Sequence, residues 1–209
     1  MKRKVEILSV EGKTIEYSII GEGTPILIMH GGHSNCHEEF GYHALSEQGF
    51  SLITPSRAGY GNTSKEIGES LASACQFYLK LLDHLKIEKV HLLAVSAGGP
   101  SGIYLASRHP ERIKTLTLQC AVTKEWLTSK DREYKVAQIL FRPPAEKYVW
   151  NIVAFLYNRF PHYVFRLMLP SFSKLTYDNV VTKMREDMLS MHINTSRIRS
   201  LFYFILGDI

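Results

Sequence analysis

The hexapeptide Ala94-Val95-Ser96-Ala97-Gly98-Gly99 sets a serine hydroxyl among small residues, just after an apolar run and just before a helical pattern. A serine at so tight a strand-to-helix turn is held in a strained backbone conformation. Its Oγ projects above the carboxyl end of the sheet, where open α/β folds bind ligands. Crowding at such a turn demands small residues two positions to either side, and Ala94 and Gly98 meet that demand. A serine that only capped the helix would not need them. The chemistry on offer is nucleophilic attack on a carbonyl, with a histidine to take the hydroxyl proton and a carboxylate to orient the histidine. The negative charge that develops on the carbonyl oxygen needs preorganised N–H donors.

Two other segments carry matching signals. His30-Gly31-Gly32-His33 follows the apolar run Pro25–Met29, and Ser56-Arg57-Ala58-Gly59-Tyr60-Gly61 follows Phe50–Thr54. In this order and spacing the three segments resemble the serine-nucleophile branch of the α/β-hydrolase fold family over about the first 120 residues. Ala94 replaces the first glycine of that family's G-x-S-x-G elbow. The histidine-glycine segment resembles the HG or HGG loop after the family's third strand. The third segment resembles its D-x-R-G-x-G or R-P-G-x-G loop, a structural element.

The resemblance implies Ser96 as nucleophile and the backbone N–H groups of Ala97 and Gly32 as the oxyanion hole, with His33 the weaker alternative donor. It implies no cofactor and no metal. A serine in place of aspartate argues against the family's haloalkane dehalogenases and epoxide hydrolases. Esterase, lipase, peptidase, carbon–carbon hydrolase and acyltransferase all stay open.

The elements that must position these residues can be read from periodicity. Val5–Val10 and Thr14–Ile20 alternate polar and apolar residues around Glu11-Gly12-Lys13, which predicts an antiparallel hairpin. Pro25–Met29, Phe50–Thr54, Lys89–Val95 and Ile113–Leu118 read as buried strands. Between them, His37–Gln48, Ser64–Leu85 and Ala97–Arg108 read as helices, the first ended by Gly49 and the last by His109-Pro110. That alternation predicts a mostly parallel, doubly wound sheet with helices on both faces.

After Cys120 the pattern changes to Asp131–Phe141, Glu146–Phe160 and Tyr163–Leu169, helical stretches separated by Pro143-Pro144 and Pro161. This occupies the place of the family's cap or lid. Residues 1–121 are therefore assigned to a hydrolase-like core, 122–186 to a helical cap and 187–209 to an atypical tail. Trp126, Tyr148, Trp150, Phe155, Tyr157, Phe160, Tyr163 and Phe165 enrich the cap region in aromatic residues, for which core packing is the first explanation and substrate contact the second. An aromatic, apolar cap favours a small-molecule substrate, either a hydrophobic acyl compound or an aromatic one.

The acid and the histidine of the triad are not identifiable. In the family they follow the cap, in the order acid then histidine. Here Leu201–Leu206 with Gly207-Asp208 only faintly resembles the acid-bearing strand end, so Asp208 is a weak candidate. His109, His162 and His192 read as surface or packing residues, and His33 would have to face Ser96 in an arrangement foreign to the family. The expectation is a chain truncated or frame-shifted towards its C-terminus, from about Asp187. The strand at 113–118 would then have an uncovered apolar edge, open to self-association.

Bulk properties suit a soluble enzyme. The 209 residues are 45% hydrophobic and 22% charged, which excludes disordered and collagen-like classes. The net charge of +5 arises beyond residue 120: residues 1–120 hold 12 basic and 12 acidic residues, leaving 13 and 8 for the rest. The basic residues are scattered among apolar ones, which reads as a solvated face and not as a nucleic-acid site. Cys36, Cys75 and Cys120 form no disulfide or zinc pattern. With no secretory signal and no apolar stretch long enough for a membrane span, the expected location is the cytoplasm. Two functions are carried forward: a serine hydrolase of ester or related acyl bonds, and a catalytically incomplete relative acting as a pseudoenzyme, ligand-binding module or fragment.

Overall fold

The computed structural model describes residues 2–32, 34–37, 43–124, 134, 145–169 and 176–178. Six strands form one sheet: β1 (Lys4–Val10), β2 (Lys13–Ile20), β3 (Thr24–Met29), β4 (Phe50–Pro55), β5 (Val90–Val95) and β6 (Ile113–Gln119), in the order β1-β2-β4-β3-β5-β6. The β1–β2 and β2–β4 pairs are antiparallel and the other three are parallel. The mostly parallel sheet expected from the alternation is therefore present. The hairpin turns through Glu11 and Gly12, both at positive φ (54° and 71°), a primed turn that matches the twist of the flanking strands.

Three helices accompany these strands: α1 (His43–Glu47), α2 (Leu71–His84) and α3 (Gly99–Arg108). One face of the sheet packs Leu27, Met29, Ile53 and Leu92 with Tyr78, Leu81 and Leu82 of α2 and Leu105 of α3. The other packs Ile20, Ile26, Ile28 and Leu52 with Leu45 of α1. Apolar side chains at consecutive positions of β3 follow from this, because both of its faces are covered.

Three boundaries differ from the sequence reading. The helix expected over 37–48 is α1 alone among the described residues. The helical pattern from Ser64 is split into a 3₁₀ turn, Lys65–Gly68, and α2, because the Ser70 hydroxyl accepts the Ser73 N–H (3.0 Å) and starts the helix there. The helix after the elbow likewise begins with a 3₁₀ turn, Ser96–Gly98, before α3. The edge strand β6 also differs in character. No described residue pairs with its outer side, yet Lys114, Thr115, Thr117 and Gln119 are exposed along with Leu118, so it is a mixed strand and not an apolar one.

The chain divides into two compact units between Trp126 and Leu127. In the second, α4 (Ala145–Arg159) and α5 (Pro161–Met168) are helical as expected. Pro161 opens α5 instead of merely separating two helices; at the first turn its missing N–H costs nothing. Asp131–Phe141, apart from the helical Tyr134, and the tail from 187 lie outside the described residues. No helix among the described residues is long and apolar enough to cross a membrane.

Candidate active site

Ser96 sits where β5 ends, at φ 48° and only 2% exposed. A non-glycine residue at positive φ is strained, and here the surroundings enforce it. The Ser96 carbonyl accepts the Val122 N–H (2.9 Å) from the chain that follows β6, which fixes the outgoing peptide. At Gly98 any side-chain carbon would overlap the carbonyl oxygen of Met29, so β3 and the elbow approach at backbone distance. Ala94, the departure from the glycine of the family pattern, is accommodated by Gly102 of α3: a Cβ at Gly102 would lie 2.6 Å from the Ala94 Cβ. The methyl added on the strand is offset by one omitted on the helix.

The loop after β3 lies against this turn. A Cβ at Gly31 would come 3.2 Å from Ser96 Cβ and 3.8 Å from its Oγ, so Gly31 is the residue whose bare backbone admits the serine. Gly32 is buried in the turn that follows. Ala97, 5% exposed, begins the helical turn after the serine. Ser96, Ala97 and the glycine loop thus belong to one corner of the sheet. His33 and Asp208 lie outside the described residues.

His30 holds this loop in a way the sequence did not reveal. It is fully buried, and its Nε2 accepts the Arg57 N–H (2.8 Å). Nε2 must then be unprotonated, so Nδ1 carries the hydrogen and donates it to the Gly31 carbonyl (2.7 Å). Burial keeps the ring neutral, pushing its pKa down from 6.5 to about 3, with the Gly31 hydrogen bond opposing and the Arg57 charge assisting. With both nitrogens engaged, His30 braces the loop and is not a base.

Beside it lies a buried carboxylate, Glu16 of β2, 5% exposed. Its Oε2 accepts from Ser56 Oγ (3.0 Å) and the Asn62 N–H (3.2 Å), and its Oε1 from Asn62 Nδ2 (2.7 Å). Burial works to raise its pKa, but the hydrogen bonds from Asn62, Ser56 and Cys36 outweigh it and hold the group below its ordinary value. Glu16 brings a carboxylate to Ser56 from the neighbouring strand. Glu16, Cys36 and His37 place an oxygen, a sulfur and a nitrogen within 4.8 Å of one another, a spacing loose for a metal centre. The Glu16 oxygens are already occupied by donors from Ser56, Asn62 and Cys36, and burial pushes the Cys36 thiol pKa up, so the set does not present itself as a ligand cage.

Three further histidines make contacts elsewhere. His91 Nδ1 meets Thr115 Oγ1 (2.8 Å), His109 faces Glu111 (3.4 Å) and His162 Nδ1 meets the Tyr177 hydroxyl (2.7 Å). The reading of His109 and His162 as surface or packing residues agrees with these contacts; His192 lies outside the described residues. In the helical unit the aromatic side chains do not all pack. Tyr148, Phe155, Phe160 and Tyr163 are 50–70% exposed, and core packing does not account for them.

A buried serine at positive φ where a strand of a mostly parallel sheet turns into a helix, against a histidine-glycine loop, defines a class of protein, and sequence comparison agrees. The profile of the alpha/beta hydrolase fold matches residues 24–169, and the chain belongs to that family. Over 201 residues it is 62% identical to an uncharacterized hydrolase, YcgS, of Bacillus subtilis (strain 168), covering 96% of this chain and 71% of that protein. It is 27% identical over 146 residues to a proline iminopeptidase of Clostridioides difficile (strain 630), covering 66% of this chain and half of that enzyme. Among solved structures, an alpha/beta hydrolase fold protein from Nakamurella multipartita superposes with a TM-score of 0.71 at 22% identity, over 98% of this chain and 68% of the other. A bromoperoxidase from Bacillus anthracis reaches 0.60 at 21% identity, over 72% and 59%. At these identities the structural likeness speaks for the fold alone.

Proposed function

We propose that this protein is a serine hydrolase of ester or related acyl bonds, with Ser96 as nucleophile. The observation that carries the reading is the strained, buried Ser96 turn packed against the Gly31-Gly32 loop. Ser96 Oγ attacks the acyl carbon, and the Ala97 and Gly32 N–H groups receive the oxyanion. An acyl-enzyme forms as the leaving group departs with a proton, and water then releases the acid. Accepting the hydroxyl proton falls to a base other than His30, whose nitrogens are both committed. The exposed aromatic residues of α4 and α5 support a preference for hydrophobic acyl groups, with those helices as the cap.

The test is labelling by a fluorophosphonate probe together with turnover of a short p-nitrophenyl ester. Both should disappear in Ser96→Ala while the fold is kept. Turnover alone is not sufficient, since an oxyanion hole without a working base can still give roughly 10³-fold over water. A folded wild-type protein inert to both reagents would overturn the reading and leave the fold as a binding module.

A further inference from the structure

Gly32 lies between two anchors, and both are tied to one neighbouring loop. Upstream, His30 Nε2 holds the Arg57 N–H; downstream, the Cys36 N–H donates to Ser56 Oγ (3.0 Å). Ser18 Oγ adds a bond to the Cys36 carbonyl (2.5 Å). With Ser18 of β2 adding a hold at Cys36, the glycine loop is therefore tied at both ends to residues 56 and 57.

Those residues are fixed in turn by Glu16, and every polar group of Glu16 takes part. Its carbonyl accepts the Ser56 N–H (2.8 Å) and its N–H donates to Thr63 Oγ1 (3.0 Å). Its carboxylate takes Ser56 Oγ and both Asn62 donors. Gly61, at φ 54°, leaves the space the carboxylate fills: a side chain there would overlap Glu16 Oε2. A charged acceptor makes the Ser56 hydroxyl point one way, towards Oε2, which leaves the Ser56 lone pairs for the Cys36 N–H. With an uncharged acceptor in place of the carboxylate, the serine hydroxyl would not be held to that direction.

We infer that Glu16 is a positioning residue for the oxyanion loop, acting through Ser56 Oγ and the Cys36 N–H. The inference rests on the proposed role of Ser96 for its catalytic meaning, but its structural content can be read without activity.

Three variants test it: Glu16→Gln, Ser56→Ala, and the double variant Glu16→Gln with Ser56→Asp, which moves the carboxylate onto the loop. Two quantities are read, the fluorophosphonate labelling rate of Ser96 and the amide hydrogen exchange of residues 30–37 relative to β5. Losing an oxyanion donor outright costs 10²–10³-fold, so loosening one should slow labelling by about tenfold, and exchange over 30–37 should quicken by about as much. For ester turnover the fall should appear in kcat with KM held. The double variant should recover most of both losses, and Ser56→Ala, which leaves the Asn62 bonds in place, should reproduce them if Glu16→Gln does not fold. Exchange over 30–37 unchanged in the folded variants, or a double variant no better than Glu16→Gln, would overturn the inference. If the wild-type protein takes no label, the Ser96 reading fails and exchange alone decides this one.

Discussion

The unit ending at Trp126 and the helical unit after it are built under different constraints. In the first, the residue types around Ser96 are dictated by contacts at backbone distance: Gly98 against Met29, Ala94 against Gly102, Gly31 against Ser96 itself. In the second, α4 carries Tyr148, Ile152 and Phe155 at helical spacing, 59–68% exposed. Substitution should therefore be costly in the one and cheap in the other, and the following experiments press on that contrast.

The largest effect is expected at His30. Its pKa is near 6.5 when unfolded and about 3 when folded, so its contribution to stability is complete above pH 6.5 and is lost as pH falls towards 3. At about 1.36 kcal/mol per pH unit, falling from pH 6.5 to 4.5 should cost the wild type about 2–3 kcal/mol from this residue. His30→Phe should start lower at neutral pH, by roughly 1–3 kcal/mol for the orphaned Arg57 N–H. It should then lack that part of the acid slope. Urea unfolding midpoints measured from pH 8 to 4.5 would show it; parallel slopes would break the account. Glu16 acts in the same direction but below its ordinary value of 4.5, since its folded pKa is depressed.

The same contrast explains what could be read from the sequence. The elbow and the glycine loop are legible because crowding of the backbone leaves few residue types to choose from, and the choice shows over a few consecutive positions. Glu16 was not legible. In the alternating stretch Thr14–Ile20 it reads as a residue facing water, and so does Ser18, yet they are 5% and 1% exposed. Segments 20 to 47 residues further on, around Cys36, Ser56 and Asn62–Thr63, cover that face of the strand. Periodicity reports the sheet face, not the loop that later covers it. The split of the helical pattern after Ser64 was hidden for a similar reason: Ile67 and Leu71 keep the spacing, while Gly68 is fixed by Ala58, where its Cβ would approach to 2.6 Å.

A smaller effect, and a sharper probe of the elbow, is expected at Gly102. An alanine there gains about 1 kcal/mol of helix propensity but meets the Ala94 Cβ at 2.6 Å, and overpacking of a buried site costs about 1–3 kcal/mol. Gly102→Ala should lower stability by up to about 2 kcal/mol on balance. Adding Ala94→Gly, which restores the glycine of the family pattern, should return most of it, with a coupling of about 1 kcal/mol or more in a double-mutant cycle. Additive losses would mean that the two positions do not share the space assigned to them.

The smallest effect on stability is expected at Phe155, and it is informative for that reason. The side chain is 68% exposed, and phenylalanine and serine have similar helix propensities, so Phe155→Ser should shift stability by less than about 0.5 kcal/mol. An exposed aromatic residue that contributes little to folding is free to serve recognition. On the proposed reading that the exposed aromatic residues of α4 and α5 prefer hydrophobic acyl groups, the substitution should raise KM for a long-chain p-nitrophenyl ester and leave the acetate ester nearly unchanged. A loss of stability would move Phe155 into the packed part of the molecule. Equal effects on both esters would remove the argument that the exposed aromatic residues select the acyl chain, while leaving the elbow as it stands.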